Sequence, residues 1–226
     1  MLGRLMRTGS TAKRSPDVSP WPKPEQREIN RALKREAVLL RAVEFFNEKG
    51  FHATSLDDVA LSLNVTKPTI YHYFANKDEI LFACVQRGLE EIGQAAQAAE
   101  QAGGNGLQRL RALLIDYAMM MSDGFGACVG RTPDHALSAE SLSRIKALKR
   151  DTDAIVRRVI EAGMADGSIA VADVRLTTFT ALGALNWISR WYDPAGPLSK
   201  REIAEHSVAT LIGGLAARSD SNRRGE

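Results

Sequence analysis

The chain has 226 residues, 44% of them hydrophobic and 25% charged, which is enough apolar material for one large domain or two small ones. Its 30 Lys and Arg against 27 Asp and Glu give a net charge of +3, too even a balance to point to a polyanionic partner by itself. Cys84 and Cys128 lack the paired spacing of a metal site or a disulfide scaffold, and no apolar run is long enough for a signal peptide or a membrane span. A soluble protein of the reducing cytoplasm is expected, with no membrane partner.

Residues 1–24 carry Pro16, Pro20, Pro22 and Pro24, and Arg4, Arg7, Lys13, Arg14 and Lys23 stand against a single acid, Asp17. This composition predicts a disordered basic arm, either a plain linker or a charged tail laid along a DNA backbone or minor groove. Leu39, Ala42, Val43 and Phe46 then recur at helical spacing, and Gly50 suits the end of that first helix. A short second helix follows, with Thr54 or Ser55 as its N-cap, Asp57 and Asp58 in its first turn, and Leu56, Val59, Ala60 and Leu63 on one face.

Asn64 breaks the pattern because it tolerates the left-handed conformation of a tight turn, and Val65 is expected to point back to the core. A third helix opens at Thr66 with Pro68 in its first turn, burying Ile70, Tyr73 and Phe74 and leaving Lys67, Thr69, Tyr71 and His72 outward. Asn76 and Glu79 form the capping box of a fourth helix that runs to about residue 101. Four further helical patterns begin after Gly106 and at Ser138, Asp173 and Ser199, the last with a Ser199–Glu202 capping box. The fold class is all-α. The expected domains are a helix-turn-helix unit at 25–76, a larger helical ligand-sensing and dimerisation domain at 77–218, and a disordered tail at 219–226.

Two short helices joined by a tight turn are the arrangement in which the second helix offers its N-terminal residues to base edges in a major groove. The outward set suits that role: Lys67 for phosphate or guanine, the Thr66 and Thr69 hydroxyls for phosphate or base, and Tyr71 and His72 for phosphate. Lys77 adds a charge at a helix start that already attracts anions. An enzyme would need more than Asp134–His135 with His52 and His206 scattered elsewhere, so neither catalysis, a metal nor a cofactor is expected.

The stretch "FNEKGFHATSLDDVALSLNVTKPTIYHYFANKDEIL", residues 46–81, resembles the DNA-binding domain of the TetR family of transcriptional regulators. The resemblance implies that Lys67, Thr69, Tyr71 and His72 face operator DNA, that Ser55 and Lys77 meet backbone phosphates, and that Thr66 and Pro68 open the reading helix. It also implies a homodimer formed through the last two helices, matching two half-sites about 34–36 Å apart. Ala184, Trp191, Leu211, Gly213, Gly214 and Leu215 are the candidate interface, although glycines there could simply loosen a helix.

Met119, Met120, Met121, Phe125, Cys128, Phe179 and Trp187 are candidates to line an adaptable apolar effector cavity, with ordinary core filling the alternative for each. Residues 186–215 resemble the C-terminal segment of TetR-like regulators that respond to acyl-CoA thioesters. That resemblance implies an acyl chain in the cavity, with Arg131, Arg144 and Arg190 placed to meet the phosphates. The function expected is a repressor released from its operator by a small apolar or acyl-CoA-type effector, and the alternative is a constitutive DNA-binding protein without one.

Overall fold

The structure is a computed structural model that describes residues 23–171 and 173–213. Among the described residues every regular element is helical: α1 (Pro24–Lys49), α2 (Leu56–Ser62), α3 (Lys67–Tyr71), α4 (Lys77–Gln101), α5 (Gly106–Ser122), α6 (Gly124–Arg131), α7 (Ala139–Ala165), α8 (Val174–Asn186), α9 (Ile188–Trp191) and α10 (Lys200–Gly213). A 3₁₀ turn, Asp134–Ala136, precedes α7. The expected fold class is therefore observed. α1 already begins at Pro24, inside the span assigned to the basic arm, whereas residues 1–22 of that arm and the expected tail at 219–226 lie outside the described residues.

The chain divides into two compact units, Met1–Lys34 and Arg35–Glu226. In the first, the described residues are the opening turns of α1, all exposed, with Gln26 Nε2 donating to Asn30 Oδ1 one turn along at 3.1 Å. In the second, the helix boundaries follow local chemistry. Gly50 closes α1 at φ +79° and Asn64 takes φ 55° in the turn between α2 and α3. Ser55 Oγ accepts the Asp57 amide at 3.1 Å to start α2, and Asn76 Oδ1 accepts the Glu79 amide at 2.8 Å to start α4.

Three details depart from the sequence reading. The Glu79 carboxylate accepts the Ala75 amide rather than that of Asn76, Thr66 precedes α3 without a side-chain cap bond, and Val65 is 37% exposed instead of core. α3 ends at Tyr71, and in the turn that follows it Phe74 is buried and Tyr73 packs partly buried against the core.

In the C-terminal part, residues 124–131 form a helix that no periodicity announces, and it turns 82° away from α5. Gly124 makes that corner possible with φ +58°, while Lys200 holds the adjoining Asp123 carboxylate at 2.8 Å. The pattern expected as one helix from residue 173 breaks at Trp187 into α8 and α9. α4 packs on α5, α6 and α7, and α10 lies against α5. No single helix among the described residues is long and apolar enough to cross a membrane.

The start of α5 presses backbone to backbone on the end of α7: a Cβ on Gly106 would meet Gly163 Cα at 2.1 Å. Asp166 Oδ2 accepts the Gly106 amide at 2.6 Å and Ser168 Oγ accepts the Leu107 amide at 3.1 Å, satisfying amides that a helix start leaves without intrahelical partners. Because the obstructing atoms are main chain and cannot swing aside, Gly106→Ala should lower stability in urea unfolding by about 1–3 kcal/mol. Gly93→Ala, in mid-α4 with open space around the new methyl, should instead raise it by about 0.5–1 kcal/mol through helix propensity.

Candidate nucleic-acid interface and effector clefts

The turn between α2 and α3 brings the expected DNA-facing side chains onto one exposed edge. Tyr71 is 46% exposed, His72 caps the end of α3 with its ring 5.1 Å from that of Tyr73, and the Thr66 and Thr69 hydroxyls lie 3.0 Å apart. Lys67 is not free: its Nζ donates to Asp57 Oδ2 at 2.9 Å, joining α3 to the first turn of α2. The hydrogen bond to Asp57 holds the Lys67 ammonium above its usual range, and the same bond holds the Asp57 carboxyl below its own. The sequence reading gave Asp57 only to the helix dipole and missed this partnership.

Ser55 is engaged as the α2 cap, half-buried. Lys77 lies back on the segment between α1 and α2, with Nζ 4.5 Å over the Phe51 ring and donating to His52 O at 3.3 Å; burial lowers its pKa from the ordinary value. Both Lys67 and Lys77 therefore rest on internal partners.

The sequence reading also missed Asp78. Its carboxylate accepts the Ser138 amide at 2.9 Å, the Ser138 hydroxyl at 3.1 Å and the Ser141 hydroxyl at 3.0 Å, so the first turn of α4 caps the start of α7 as well. Read along the chain, Asp78 resembles any first-turn acid, and nothing local signals a bond 60 residues away. Arg131 makes a similar bridge by donating to the Asn47 carbonyl at the end of α1 and to the Ser189 carbonyl in α9.

Two clefts open in this region. An outer one of about 380 Å³ is walled by Phe46, Phe51, Cys128, Arg131, Thr132 and Arg190 among others. An inner one of about 280 Å³ lies among α4, α5, α6, α7 and α8, and its lining includes Leu89, Tyr117, Thr132, Asp153, Phe179 and Asn186. Thr132 borders both.

The expected effector-lining set is not gathered in one cavity. Phe179 lines the inner cleft, whereas Cys128, Arg131 and Arg190 line the outer one. Met121 and Phe125 are buried in the core, Met119 packs against it, and Met120 borders only a small void. Trp187 is 65% exposed, and the Arg144 guanidinium lies 4.2 Å over the Phe82 ring, which is not part of either cleft wall.

Of the expected dimer-interface residues, Ala184 and Gly213 are exposed and Trp191 is 50% exposed, whereas Leu211 packs partly on its own chain's core. Gly214 and Leu215 lie outside the described residues.

Comparison with known proteins agrees with this layout. Residues 38–84 match the family model described as "Bacterial regulatory proteins, tetR family", and residues 103–215 match "Tetracyclin repressor-like, C-terminal domain". The chain belongs to the TetR family. Among its relatives, the HTH-type transcriptional repressor KstR2 of Mycolicibacterium smegmatis is 24% identical over 81% of this chain and 91% of its own. The HTH-type transcriptional activator FasR of the same organism is 25% identical over 83% of this chain and 85% of its own.

Among solved structures, a TetR/AcrR-family regulator from Thermobifida fusca is 34% identical with a TM-score of 0.64, covering 80% of this chain and 97% of that one. AibR, solved in complex with isovaleryl coenzyme A and operator DNA, superposes with a TM-score of 0.70 at 24% identity, covering 79% and 98% of the respective chains. This TetR-family chain is a DNA-binding transcriptional regulator rather than an enzyme.

Two outcomes are expected from the geometry. In a fluorescence-anisotropy titration against operator duplex, Lys67→Ala should weaken binding and reduce the salt slope by about one, while Asp57→Asn, which releases Lys67, should tighten binding. Burial pushes the Cys128 thiol up to about 11 and the Cys84 thiol well above its usual range, so both remain neutral at pH 8. Mass spectrometry after iodoacetamide at that pH should find neither thiol alkylated in the native protein and both alkylated in denaturant.

Proposed function

We propose that this regulator is a homodimeric repressor whose grip on its operator is released when an acyl-CoA-type effector enters the inner cleft. The observation that carries the reading is the double duty of α4. Five residues separate it from the reading helix, its Ile80, Leu81 and Cys84 share the buried cluster that holds Ile70 and Phe74, and Leu89 on the same helix walls the inner cleft. From Lys77 to Leu89 is about 18 Å of continuous helix, so a ligand that tilts α4 at the cleft moves α3 at the groove. A coupling of about 1–3 kcal/mol would change DNA affinity roughly 5- to 150-fold.

In this reading Lys67, Thr66, Thr69, Tyr71 and His72 contact DNA with Ser55 and Lys77 on the backbone, and the domains divide near residues 76 and 77 with a basic arm before them. The acyl group occupies the inner cleft, and the coenzyme A phosphates lie toward Arg131 and Arg190 past Thr132, the residue the two clefts share. The isovaleryl coenzyme A bound to AibR supports this effector class, and the repressor named among the relatives supports the sign. Leu176, Phe179, Trp187 and Trp191 leave an apolar face exposed around α8, which suits a second copy of the chain and, with it, two half-sites. Such a regulator works in the cytoplasm, where its DNA is.

The test is an anisotropy titration against the DNA upstream of the protein's own gene, with a scrambled duplex as control, before and after adding acyl-CoA thioesters. Sequence-preferring binding that a thioester weakens is the expected result. Sequence-preferring binding that no ligand alters would leave a constitutive DNA-binding protein in its place. Trp191→Glu should turn a dimer into a monomer in light scattering and abolish tight operator binding.

A further inference from the structure

The inner cleft is not apolar throughout, and its polar groups are unevenly used. Tyr117, buried at its α5 position, donates its hydroxyl to Asn186 Oδ1 at 2.5 Å, and burial holds that phenol protonated far above neutral pH. Asn186 thereby has its carboxamide oxygen occupied and its Nδ2 turned over to other partners. Among the described residues no hydrogen bond is made by Asn186 Nδ2, and neither a hydrogen bond nor an ion pair reaches the Asp153 carboxylate, although both residues line the cleft half-buried. Thr152, their neighbour, is already satisfied by the Leu148 carbonyl at 3.3 Å.

A free acceptor and a free donor thus face a pocket whose other walls include Leu89, Ile92, Val129 and Leu182. A hydrocarbon ligand filling this space would strip water from both groups and give nothing back. A ligand ammonium would meet the positive charge of Lys149, which lines the same cleft, and of Arg157 near Asp153. A neutral hydroxyl satisfies both groups at once, donating to Asp153 and accepting from Asn186 Nδ2.

We infer that the effector carries a hydroxyl on its buried acyl portion, and that Asp153 and Asn186 recognise it, with Tyr117 positioning Asn186. This rests on the effector reading above and sharpens it from acyl thioesters in general to hydroxyacyl thioesters. Burial raises the Asp153 carboxyl above its usual range, which fits a group held for a ligand rather than for solvent.

The experiment is isothermal titration of the full chain with hexanoyl-CoA, 3-hydroxyhexanoyl-CoA and 6-hydroxyhexanoyl-CoA. At least one hydroxylated thioester should bind about tenfold or more tightly than hexanoyl-CoA, since binding the unsubstituted analogue leaves polar groups unpaired. Asp153→Leu should abolish that preference and Asp153→Asn should retain part of it, with circular-dichroism melting to verify that both variants are folded. Tyr117→Phe should reduce the preference through Asn186.

Equal affinity for all three thioesters would overturn the hydroxyl inference and leave the acyl-CoA reading standing. An undiminished preference in Asp153→Leu would overturn the assignment to Asp153. Binding of none of the three would overturn the acyl-CoA reading and this inference with it.

Discussion

Ile80, Leu81 and Cys84 are fully buried at the start of α4, where Cys84 Sγ lies 3.8 Å from the Leu39 carbonyl, and Leu89 and Ile92 wall a cleft on the same helix two to three turns later. One uninterrupted α-helix therefore runs through the single core from the helix-turn-helix to the cleft in the C-terminal part. A helix of 25 residues is a stiff rod when its apolar stripe is held on both sides. Gly88, midway along, lets α6 approach so closely that a Cβ there would meet the Phe125 carbonyl at 2.4 Å. The rod is gripped midway along its length.

Around that rod the connections are polar and few, and they differ in kind from the packing. The Asp78 carboxylate ties α4 to α7, Arg131 ties α1 to α9, and the Asn47 amide donates to the Gly124 carbonyl at 2.8 Å. Directional bonds of this sort favour particular geometries instead of sliding continuously. The apolar contacts supply cohesion, and the polar ones choose among arrangements of similar cohesion.

In the helix-turn-helix the caps, the turn and the buried face were legible in the sequence, because their signals are local, whereas the exposure of Val65, the missing Thr66 cap bond and the Ala75 partner of Glu79 were not. Ser55 and Asn76 act as caps, Asn64 takes the left-handed turn, and the Ile70–Phe74 face is buried, each decided within four residues of itself. Farther on, the determinants are distant. α6 was hidden because Gly124, Gly126 and Gly130 argue against a helix, yet Gly126 is there for a close approach in which a Cβ would meet the Met120 carbonyl at 2.4 Å. Met119, Met120 and Met121 could not all face one cavity, since successive residues on a helix point about 100° apart. Trp187 was misread for the opposite reason: it sits at the break between α8 and α9, where the stripe it was counted in ends. Nothing local marks Asp153 and Asn186, because the residues that make them neighbours of one cleft belong to five different helices.

The bond pattern of Asp78 and Arg131 also bears on how interchangeable the parts of such regulators are. A chimera joined between residues 76 and 77 would carry the Asp78 carboxylate with the sensor but leave the Asn47 carbonyl on a foreign head. The Arg131 bridge needs a main-chain acceptor at the end of α1, whereas the bond to the Gly124 carbonyl needs the Asn47 side chain itself. Compatibility of a borrowed head therefore turns on two things at one position: where α1 stops, and whether an amide side chain stands there.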